Sequence, residues 1–586
     1  MAFDTTRPAP GRDPNDAGRG QDPGGRESTA VLDSAHVGDI VGALGTIRRD
    51  DTARRRSWAH RLRTLLVIMG PGLIVMVGDN DAGGVATYAQ AGQNYGMNLL
   101  WTLALLVPVL YVNQEMVVRL GAVSGVGHAR LIFERFGRFW GAFSVGDLFL
   151  VNALTIVTEF IGVSQALGYF GIPAGVAVPL AAVLLFAVVA GGSFRRWERF
   201  LFLLIAVDVV MFPMALLTHP TATATARGLV PQFPGGLDAT LLLVIVAVVG
   251  TTVAPWQLFF QQSNVVDKRI TPRWIRYERA DLWIGIAVVM AGAAAIMATA
   301  AFAFHGTELF GQFSDAGGVA EGLRQHGGTA LGALFAILLL DASLVGANAV
   351  ALATTYTLGD TLRKRHSLHW KPTEAPWFYI GYGILIALSA TVTLLADDHV
   401  QGLITQGVQA LAGVLLPSAT VFLVLLCNDR AVLGPWVNSA KQNIVAGVIV
   451  WTLVLLSLAL TAATLFPDLT TTQLETGFAA GAALGLAGGT AVALRTRARE
   501  RAATARVAAR LRGSAGPPVG PTPLRRAARR ALRDADRELW RTPALDGLER
   551  PRLSPLRRAG LLTLRCYLVL AIGLVVVKVV QLAVGS

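Results

Sequence analysis

The sequence predicts an all-α protein that crosses a membrane many times, and three observations lead to this fold class. Of the 586 residues, 53% are hydrophobic and 15% are charged, whereas charged residues make up about a quarter of an ordinary globular chain. Apolar runs long enough to cross a bilayer recur along most of the chain. Two of these runs are interrupted by helix-breaking residues, which predicts broken helices within the membrane.

The apolar runs predict thirteen spans. They lie near residues 64–91, 99–120, 140–170, 174–192, 198–218, 240–262, 280–304, 329–359, 377–396, 402–427, 441–466, 477–494 and 562–584. We expect no signal peptide before the first span, because residues 1–50 are polar and rich in proline and glycine. The two cysteines, Cys427 and Cys566, exclude a disulfide scaffold or a thiolate metal centre.

The net charge of +13 is concentrated in alternate loops. The basic loops lie near 54–56, 130–138, 195–199, 268–279, 363–365, 430–441 and from 495 onward, whereas the loops between them carry few basic residues. Because positive charge stays on the cytoplasmic side, this pattern predicts a multi-pass protein of the cell membrane with a cytoplasmic N-terminus. The alternation also argues against a nucleic-acid partner, which a basic chain would otherwise suggest.

Composition divides the chain into four parts. We predict a disordered cytoplasmic N-terminus over residues 1–59, a transmembrane core over 60–495, an arginine-rich cytoplasmic linker over 496–560 and an extra transmembrane helix over 561–586. Within the linker, residues 524–540 have apolar side chains at helical spacing. They form either an amphipathic helix on the anionic inner leaflet or part of a solvated linker.

The first span contains an acidic interruption. Apolar residues run into Gly-Asp-Asn-Asp-Ala-Gly-Gly at positions 78–84 and then resume. Carboxylates inside a membrane are costly and usually face an ion or a pathway, and flanking glycines indicate an unwound segment with free carbonyl groups. We therefore predict that Asp81 binds a cation near mid-membrane, although it could also simply cap the second half of the helix.

The sixth span is interrupted as well, between Gly250 and Pro255. Proline removes a backbone donor, so the helix should break there. By the charge of their loops, spans one and six run in opposite directions, which is typical of transporters that bind substrate between inverted repeats. We predict that Gly78 and Thr251 offer carbonyl oxygens at the two breaks, with a simple kink as the alternative.

Motifs in five spans resemble the NRAMP divalent-metal transporters. These motifs are Asp81-Ala82-Gly83-Gly84 in place of Asp-Pro-Gly-Asn, Gln114-Glu115 with Arg119-Leu120-Gly121, Thr158-Glu159-Phe160-Ile161-Gly162, Ala254-Pro255-Trp256 in place of Met-Pro-His, and Gln409 eight residues before Pro417. The resemblance covers about residues 60–466. It implies a LeuT-like fold, with inverted repeats of spans 1–5 and 6–10 and additional C-terminal spans, and divalent-cation transport by alternating access.

Two departures from the family pattern bear on the ion. Gly84 stands where the family has asparagine, and Ala254 stands where it has methionine, a soft ligand that favours transition metals. The remaining predicted metal site consists of Asp81, the carbonyls, and Gln409, which could instead only bond another helix. Such a widened, oxygen-lined site suits a partly hydrated Mg²⁺. These substitutions resemble the NRAMP-related magnesium transporter branch, which implies import of Mg²⁺ and also Mn²⁺.

Two further departures remove groups that could relay protons. Trp256 replaces a family histidine, and Ile156 replaces an aspartate three residues before Glu159. None of the nine histidines lies inside a predicted span, so a histidine relay is absent. We therefore predict a uniporter driven by the membrane potential, with a proton-coupled Mn²⁺/Fe²⁺ symporter as the alternative.

The other polar residues receive supporting roles. Asp79 and Asn80 are predicted to cap the broken helix or to support the site from behind, with direct ligation by Asp79 as an alternative. Glu115 should pair with Arg119 one turn on, in a structural or gating role. Asp208 and Asp341 could line a cavity or form a salt bridge to another helix, and we favour the structural role for both. Trp256 should fill space beside the site.

Other functions fit the sequence less well. A sodium-coupled amino-acid transporter would place a substrate carboxylate against Asp81. An intramembrane hydrolase would need a Ser–His or paired-Asp arrangement, which the sequence does not indicate, because its intramembrane aspartates lie on different helices. A metal sensor that does not transport remains an alternative. We expect no enzyme activity and no cofactor, with the divalent ion as substrate, the lipid bilayer as surroundings and a monomeric assembly.

Overall fold

The computed structural model describes residues 29–31, 33–466, 469–513 and 537–551, together with a few positions between 558 and 573. Within these residues the only strands are β1 (Ile40–Gly42) and β2 (Gly45–Ile47), paired antiparallel, and an isolated bridge between Thr29 and Pro543. All other regular structure there is helical. The predicted all-α class is therefore confirmed.

The helices follow the predicted spans closely. They are α1 (Trp58–Ile68), α2 (Pro71–Val77), α3 (Ala82–Tyr95), α4 (Leu100–Ser124), α5 (His128–Phe136), α6 (Arg138–Tyr169), α7 (Ala174–Ala190), α8 (Phe194–Val207), α9 (Met211–Leu217), α10 (Ala222–Gly228), α11 (Ala239–Thr252), α12 (Pro255–Asp267), α13 (Ile275–Phe304), α14 (Ala316–Gly327), α15 (Thr329–Leu362), α16 (Pro376–Leu395), α17 (Asp398–Cys427), α18 (Arg430–Leu433), α19 (Ala440–Leu465) and α20 (Thr471–Gly513).

Nine helical stretches among the described residues are long and apolar enough to cross a bilayer, or ten if the bent pair α1 and α2 counts as one span. One of them, Ala82–Ser124, is 43 residues long and joins parts of the first two predicted spans. The predicted fourth span, α7, is apolar but short. The predicted twelfth span lies inside α20, which is not among these stretches, so a twelfth span is not supported there. Most of the predicted last span lies outside the described residues.

Both predicted breaks are present. Residues 78–81 separate α2 from α3, and residues 253–254 separate α11 from α12, which begins at Pro255. A further bend of 56° between α1 and α2 was not predicted. It is held by the Asp281 carboxylate of α13, which accepts hydrogen bonds from the N–H groups of Gly70 (3.1 Å), Gly72 (2.7 Å) and Leu73 (3.2 Å). These donors have no partner within α2, so the carboxylate caps the helix.

Close helix packing brings the two breaks together. α13 packs along α2 and α3, α15 along α6, and α11 along α17. Glycines allow the closest approaches: a Cβ on Gly250 would lie 2.2 Å from the Gln409 carbonyl oxygen of α17, and a Cβ on Gly92 would lie 2.1 Å from the Met297 carbonyl oxygen of α13. The unwound segment is thus enclosed by α6, α11, α13, α15 and α17.

The loops gather at two ends of the bundle. The basic loops listed above contact one another and form what we call the basic face, for example through ion pairs from Arg135 to Asp429 (2.7 Å) and from Arg363 to Glu134. The remaining loops form the opposite face, where Gln93 Nε2 donates to the Leu309 carbonyl at 2.8 Å. The structure thus separates the two sets of loops as the charge pattern predicted. Which face is cytoplasmic stays a prediction.

The segment 33–47 lies across the basic face and is ordered, although composition predicts disorder for residues 1–59. Asp33 accepts hydrogen bonds from the indole N–H of Trp370 and the backbone N–H of His366. The Ala43 N–H donates to the Glu198 carboxylate, which also pairs with the buried Lys268. The sequence signal was weak because the segment has few apolar side chains of its own, among them the buried Ile40 and Ile47, and its polar contacts are to residues far along the chain.

The predicted linker, residues 496–560, is described only in part. α20 continues to Gly513, and residues 514–536, which include most of the predicted amphipathic piece, lie outside the described residues. Beyond them, Thr542 packs on the basic face, where its carbonyl accepts from the Ala30 N–H at 3.1 Å and its hydroxyl contacts the Val432 carbonyl at 2.8 Å. The two terminal segments therefore meet on this face.

His366 on the basic face makes stability depend on pH. Burial lowers the pKa of His366, but the Asp360 carboxylate 3.1 Å away and the Lys364 carbonyl outweigh burial and raise that pKa to about 9. Because the folded pKa exceeds the unfolded one, the protonated ring stabilises fully below about pH 6.5. This contribution, about 3 kcal/mol, should be lost as the pH rises through 9. Melting curves of purified protein should show the loss.

His366→Gln should flatten the dependence of melting temperature on pH between 6.5 and 9. His60→Gln, on the exposed side of α1, serves as the matched control. This variant should show the same pH dependence of melting temperature as the wild type. An unchanged slope in His366→Gln would contradict the assignment.

Candidate functional site

Asp81 lies at the start of α3 and is buried. Its Oδ1 accepts a hydrogen bond from the Gly84 N–H at 2.7 Å, which makes it the N-cap of that helix. Its carboxyl group is also within hydrogen-bonding reach of the Glu159 carboxyl group. The capping role weighed in the sequence analysis is therefore real, and it orients the carboxylate without using both oxygens.

Three oxygen atoms converge where Gly84 has no side chain. A Cβ on Gly84 would lie 2.6 Å from the Asp79 carbonyl oxygen, 3.2 Å from Thr251 Oγ1 and 3.3 Å from Asp81 Oδ1. The first and third belong to the unwound segment, and the second belongs to the last turn of α11. Carboxylate, carbonyl and hydroxyl oxygens are the ligands that hard cations prefer. This small oxygen-lined space is the candidate ion site.

The two carbonyls predicted at the breaks lack their usual helical partners. The N–H that would bond the Gly78 carbonyl belongs to Ala82, which instead donates to Glu159 Oε2 at 3.1 Å. The residue that would bond the Thr251 carbonyl is Pro255, which has no N–H. Both carbonyls are therefore free of the regular helical hydrogen bond. In addition, the hydroxyl of Thr251 is buried with no hydrogen-bond partner among the described residues.

Gln409 lies beside the start of α3, and Ala254 lies in the break of the sixth span. The Gln409 side chain lies directly against Gly83, and its Nε2 is buried with no partner in the described part of the chain. Rotating the amide by 180° would present its oxygen at that point. Ala254 is 4% exposed and precedes α12, and its carbonyl accepts from the Gln257 N–H at 3.2 Å. Its methyl group adds no ligand.

Sequence reasoning missed two glutamines that support Asp79. Gln257 Nε2 donates to Asp79 Oδ1, and Gln257 Oε1 in turn accepts from Gln114 Nε2 at 2.9 Å. Asp79 Oδ2 has no hydrogen-bond partner among the described residues. A glutamine in a span carries no sequence signal that separates this role from ordinary helix contacts. Asn80 turns away, toward Gly292 of α13.

Glu159 lies directly behind Asp81 and is fully buried. Besides the bond from Ala82, it leaves Oε1 without a partner in the described residues. Gly346 of α15 allows this arrangement, because a Cβ there would lie 2.6 Å from Glu159 Oε2 and 2.7 Å from Asp81 Cβ. The structure thus brings Glu159 into direct contact with the candidate site.

Trp256 and Glu115 occupy different places. Trp256 packs beside the site against Phe260, with its ring 3.3 Å from the position of a Gly78 Cβ. Glu115 lies toward the basic face, beside a cavity of about 280 Å³. The expected ion pair with Arg119 is present at 3.2 Å, and Arg279 joins it at 2.6 Å. Glu115 is therefore not part of the site.

One histidine position differs from the prediction. α17 begins at Asp398 rather than near 402, so His399 lies in its first turn and inside a spanning stretch. It is ten residues before Gln409, about 15 Å along the helix. In the described part of the chain, no group of three His, Cys, Asp or Glu side chains could hold a metal ion. A cation at Asp81 would therefore need backbone, hydroxyl, amide or water ligands.

Comparison with known proteins identifies the family. The family model described as natural resistance-associated macrophage protein-like (Nramp) matches residues 72–463, which is more than half of the chain. The chain belongs to the NRAMP family. It is therefore a transporter rather than an enzyme, and a multi-pass membrane protein with a divalent metal ion as its substrate.

Relatives within this family support the assignment over most of their length. The divalent metal cation transporter MntH of Ralstonia nicotianae is 29% identical over 402 residues, covering 66% of this chain and 88% of the relative. MntH of Xylella fastidiosa strain 9a5c is 27% identical over 451 residues, covering 74% of this chain and 91% of the relative.

A solved structure shows the same fold. A crystal structure of a mutant of the manganese transporter of Eremococcus coleocola superposes with a TM-score of 0.58 at 20% identity. It covers 78% of this chain and 97% of that protein. The predicted LeuT-like NRAMP architecture, with its broken first and sixth spans, is thereby confirmed.

The space at Gly84 can be tested by filling it. Gly84→Ala would place a methyl group 2.6 Å from the Asp79 carbonyl oxygen, where the three oxygens converge. We expect divalent-ion uptake into liposomes to fall at least ~tenfold. The melting temperature should fall as well, because the Asp79 backbone must shift to admit the methyl group.

Gly168→Ala on α6 is the matched control, since nothing lies within 4 Å of its Cβ position. Its uptake should equal that of the wild type. Equal uptake by Gly84→Ala would show that the ion does not use this space.

Proposed function

We propose that the protein imports Mg²⁺, and also Mn²⁺, across the cell membrane by alternating access, with its basic face in the cytoplasm. The observation that carries this proposal is the convergence of Asp81, the Asp79 carbonyl and Thr251 on the point that a Gly84 Cβ would occupy. All of these ligands are oxygens. Mg²⁺ binds oxygen and keeps several of its waters, so a site with few protein ligands, all of them oxygens, suits it.

The lack of a methionine at position 254 supports membership in the magnesium branch rather than among the manganese transporters. Ala254 offers a methyl group where the family pattern has a methionine, and a thioether favours softer ions. The relatives are named as divalent metal cation transporters, and the structural neighbour as a manganese transporter. Gly84 and Ala254, at the breaks of the first and sixth spans, depart together from that pattern, which favours a change of ion rather than an isolated substitution.

Ion flux into liposomes tests this function. The wild-type protein should carry Mg²⁺ and Mn²⁺, with each ion competing against the other. Asp81→Asn should reduce both fluxes at least ~100-fold, because it removes the charge of the carboxylate at the oxygen-lined space. A wild-type protein that carries Mn²⁺ without competition by Mg²⁺ would refute the magnesium assignment.

The reciprocal variant Ala254→Met supplies the missing sulfur in the same experiment. It should shift competition toward Mn²⁺ and Cd²⁺ and away from Mg²⁺. Ala254→Leu, with a similar volume and no sulfur, separates ligand chemistry from a loss of space. Equal selectivity of these two variants would contradict the role given to the thioether.

We further propose that transport is uniport. Ile156 is buried and apolar, and Trp256 has a donor N–H but no group that accepts and releases protons. An inside-negative potential already favours entry by about 2.3 kcal/mol per charge per 100 mV, so a divalent ion needs no second driving ion. One observation favours proton symport instead: Glu159 contacts Asp81 directly, so a proton could move when the ion binds.

The internal pH of liposomes during uptake distinguishes uniport from proton symport. Under an inside-negative potential, liposomes with a pH-sensitive dye should show Mg²⁺ or Mn²⁺ entry without acidification. Uptake should also be independent of an imposed pH gradient. Stoichiometric acidification would overturn uniport, and loss of that acidification in Glu159→Gln would then identify the proton carrier.

A further inference from the structure

A second pair of acids is buried beside the ion site. Asp208 and Asp341 are 2% and 4% exposed, and their carboxyl groups are within hydrogen-bonding reach of each other. Asp208 comes from the fifth span and Asp341 from α15. Neither forms an ion pair with a described lysine, arginine or histidine. The structural salt bridges considered for them in the sequence analysis are therefore absent from the described residues.

The pair is not satisfied by its surroundings. Asp208 Oδ1 and Asp341 Oδ2 are buried and have no hydrogen-bond partner among the described residues. A pair with only a structural role would be expected to satisfy its polar atoms, because each buried unpaired oxygen destabilises the fold. Moreover, Asp208 starts a 3-10 segment, Asp208–Val210, that interrupts the fifth span between α8 and α9. A 3-10 stretch within a helix often marks a functional hinge or a strained sequence.

Asn80 provides an independent polar group on the same side. It is 1% exposed, and both atoms of its amide lack hydrogen-bond partners in the described residues. Its Nδ2 lies 2.6 Å from the position of a Gly292 Cβ, and the sulfur of Met211 lies 2.4 Å from that same point. Met211 is three residues after Asp208, on the next turn. The amide therefore faces the part of the fifth span that carries Asp208.

The Asp208–Asp341 pair lies close to Asp81 along α15. Val345, four residues after Asp341 on the same face of α15, lies against Gly78, and the next residue, Gly346, lies against Asp81. Four residues correspond to about 6 Å along a helix. α15 begins at Thr329 beside the opposite face. The pair therefore lies about one helical turn from Asp81, toward the opposite face.

We propose that Asp208 and Asp341, with the amide of Asn80, form a second divalent-cation site. A partly hydrated ion binds there before it moves one helical turn to Asp81. The two carboxylates supply charge, and the free oxygens of all three side chains supply ligands. This inference rests on the transport function proposed above, for which it supplies an entry site on the opposite face.

Binding stoichiometry tests the second site without transport. Isothermal titration of the purified full chain with Mn²⁺ should give two ions per chain for the wild type. Asp208→Asn and Asp341→Asn should each give one, as should Asp81→Asn, whereas Asp81→Asn combined with Asp341→Asn should give none. One ion per wild-type chain, or two in both Asp208→Asn and Asp341→Asn, would overturn the proposal.

Matched variants exclude a general effect of removing a carboxylate. Asp147→Asn removes an acid from α6 near Arg565, toward the basic face, and should still give two ions. Asn80→Leu keeps the charge of the pair and should weaken binding at the second site at least ~tenfold. Should one aspartate variant fail to fold, the other and Asn80→Leu still decide the result.

Flux separates this inference from the proposed function. With the second site removed in Asp341→Asn, KM for Mn²⁺ supplied at the opposite face should rise at least ~tenfold, with a smaller change in kcat. Two bound ions without any wild-type flux would overturn the transport proposal and leave the second site in place. Wild-type flux with a single bound ion would overturn the second site and leave the transport proposal in place.

Discussion

The structure depends on carboxylates that compensate for interrupted helices inside the membrane. Where α2 and α3 begin, backbone N–H groups have no partner within their helices, and lipid cannot supply one. Asp281 accepts three such bonds at the start of α2, and Asp81 and Glu159 accept one each at the start of α3. The positive ends of these helices in turn stabilise the negative side chains. The helix interruptions therefore need these carboxylates as hydrogen-bond acceptors, and the buried carboxylates need the helix N-termini for stabilisation.

This pairing of helix breaks with carboxylates determines which ligand atoms the ion site offers. An unwound segment leaves carbonyl oxygens free, and the acid that caps the following helix lies beside them. Such a cluster of oxygens is negative and selects cations by size and hydration. The residues around it then decide which cation fits. In this chain Gly84 and Ala254 contribute space rather than ligands, and Gln409 and Thr251 contribute polar atoms that lack other partners among the described residues.

The sequence predicted features that a single residue type imposes locally. Pro255 dictated the break in the sixth span, and the glycines around Asp81 dictated the break in the first. Contacts between residues far apart in sequence were not predictable. The bonds from Gln257 to Asp79 and from Gly72 to Asp281 join separate helices, and nothing in the local pattern of either partner specifies them. The meeting of Asp208 with Asp341 is of the same kind.

The hairpin on the basic face has a consequence for kinetics. Lys268 Nζ donates to the Met69 carbonyl, just before α2, at 2.7 Å and also pairs with Glu198, which in turn holds Ala43 of the hairpin. These contacts hold the chain immediately before the N-cap of α2, a seven-residue helix. An outward swing of α2 would expose a buried lysine and glutamate together. Opening of the bundle at this end is therefore opposed by the separation of that ion pair.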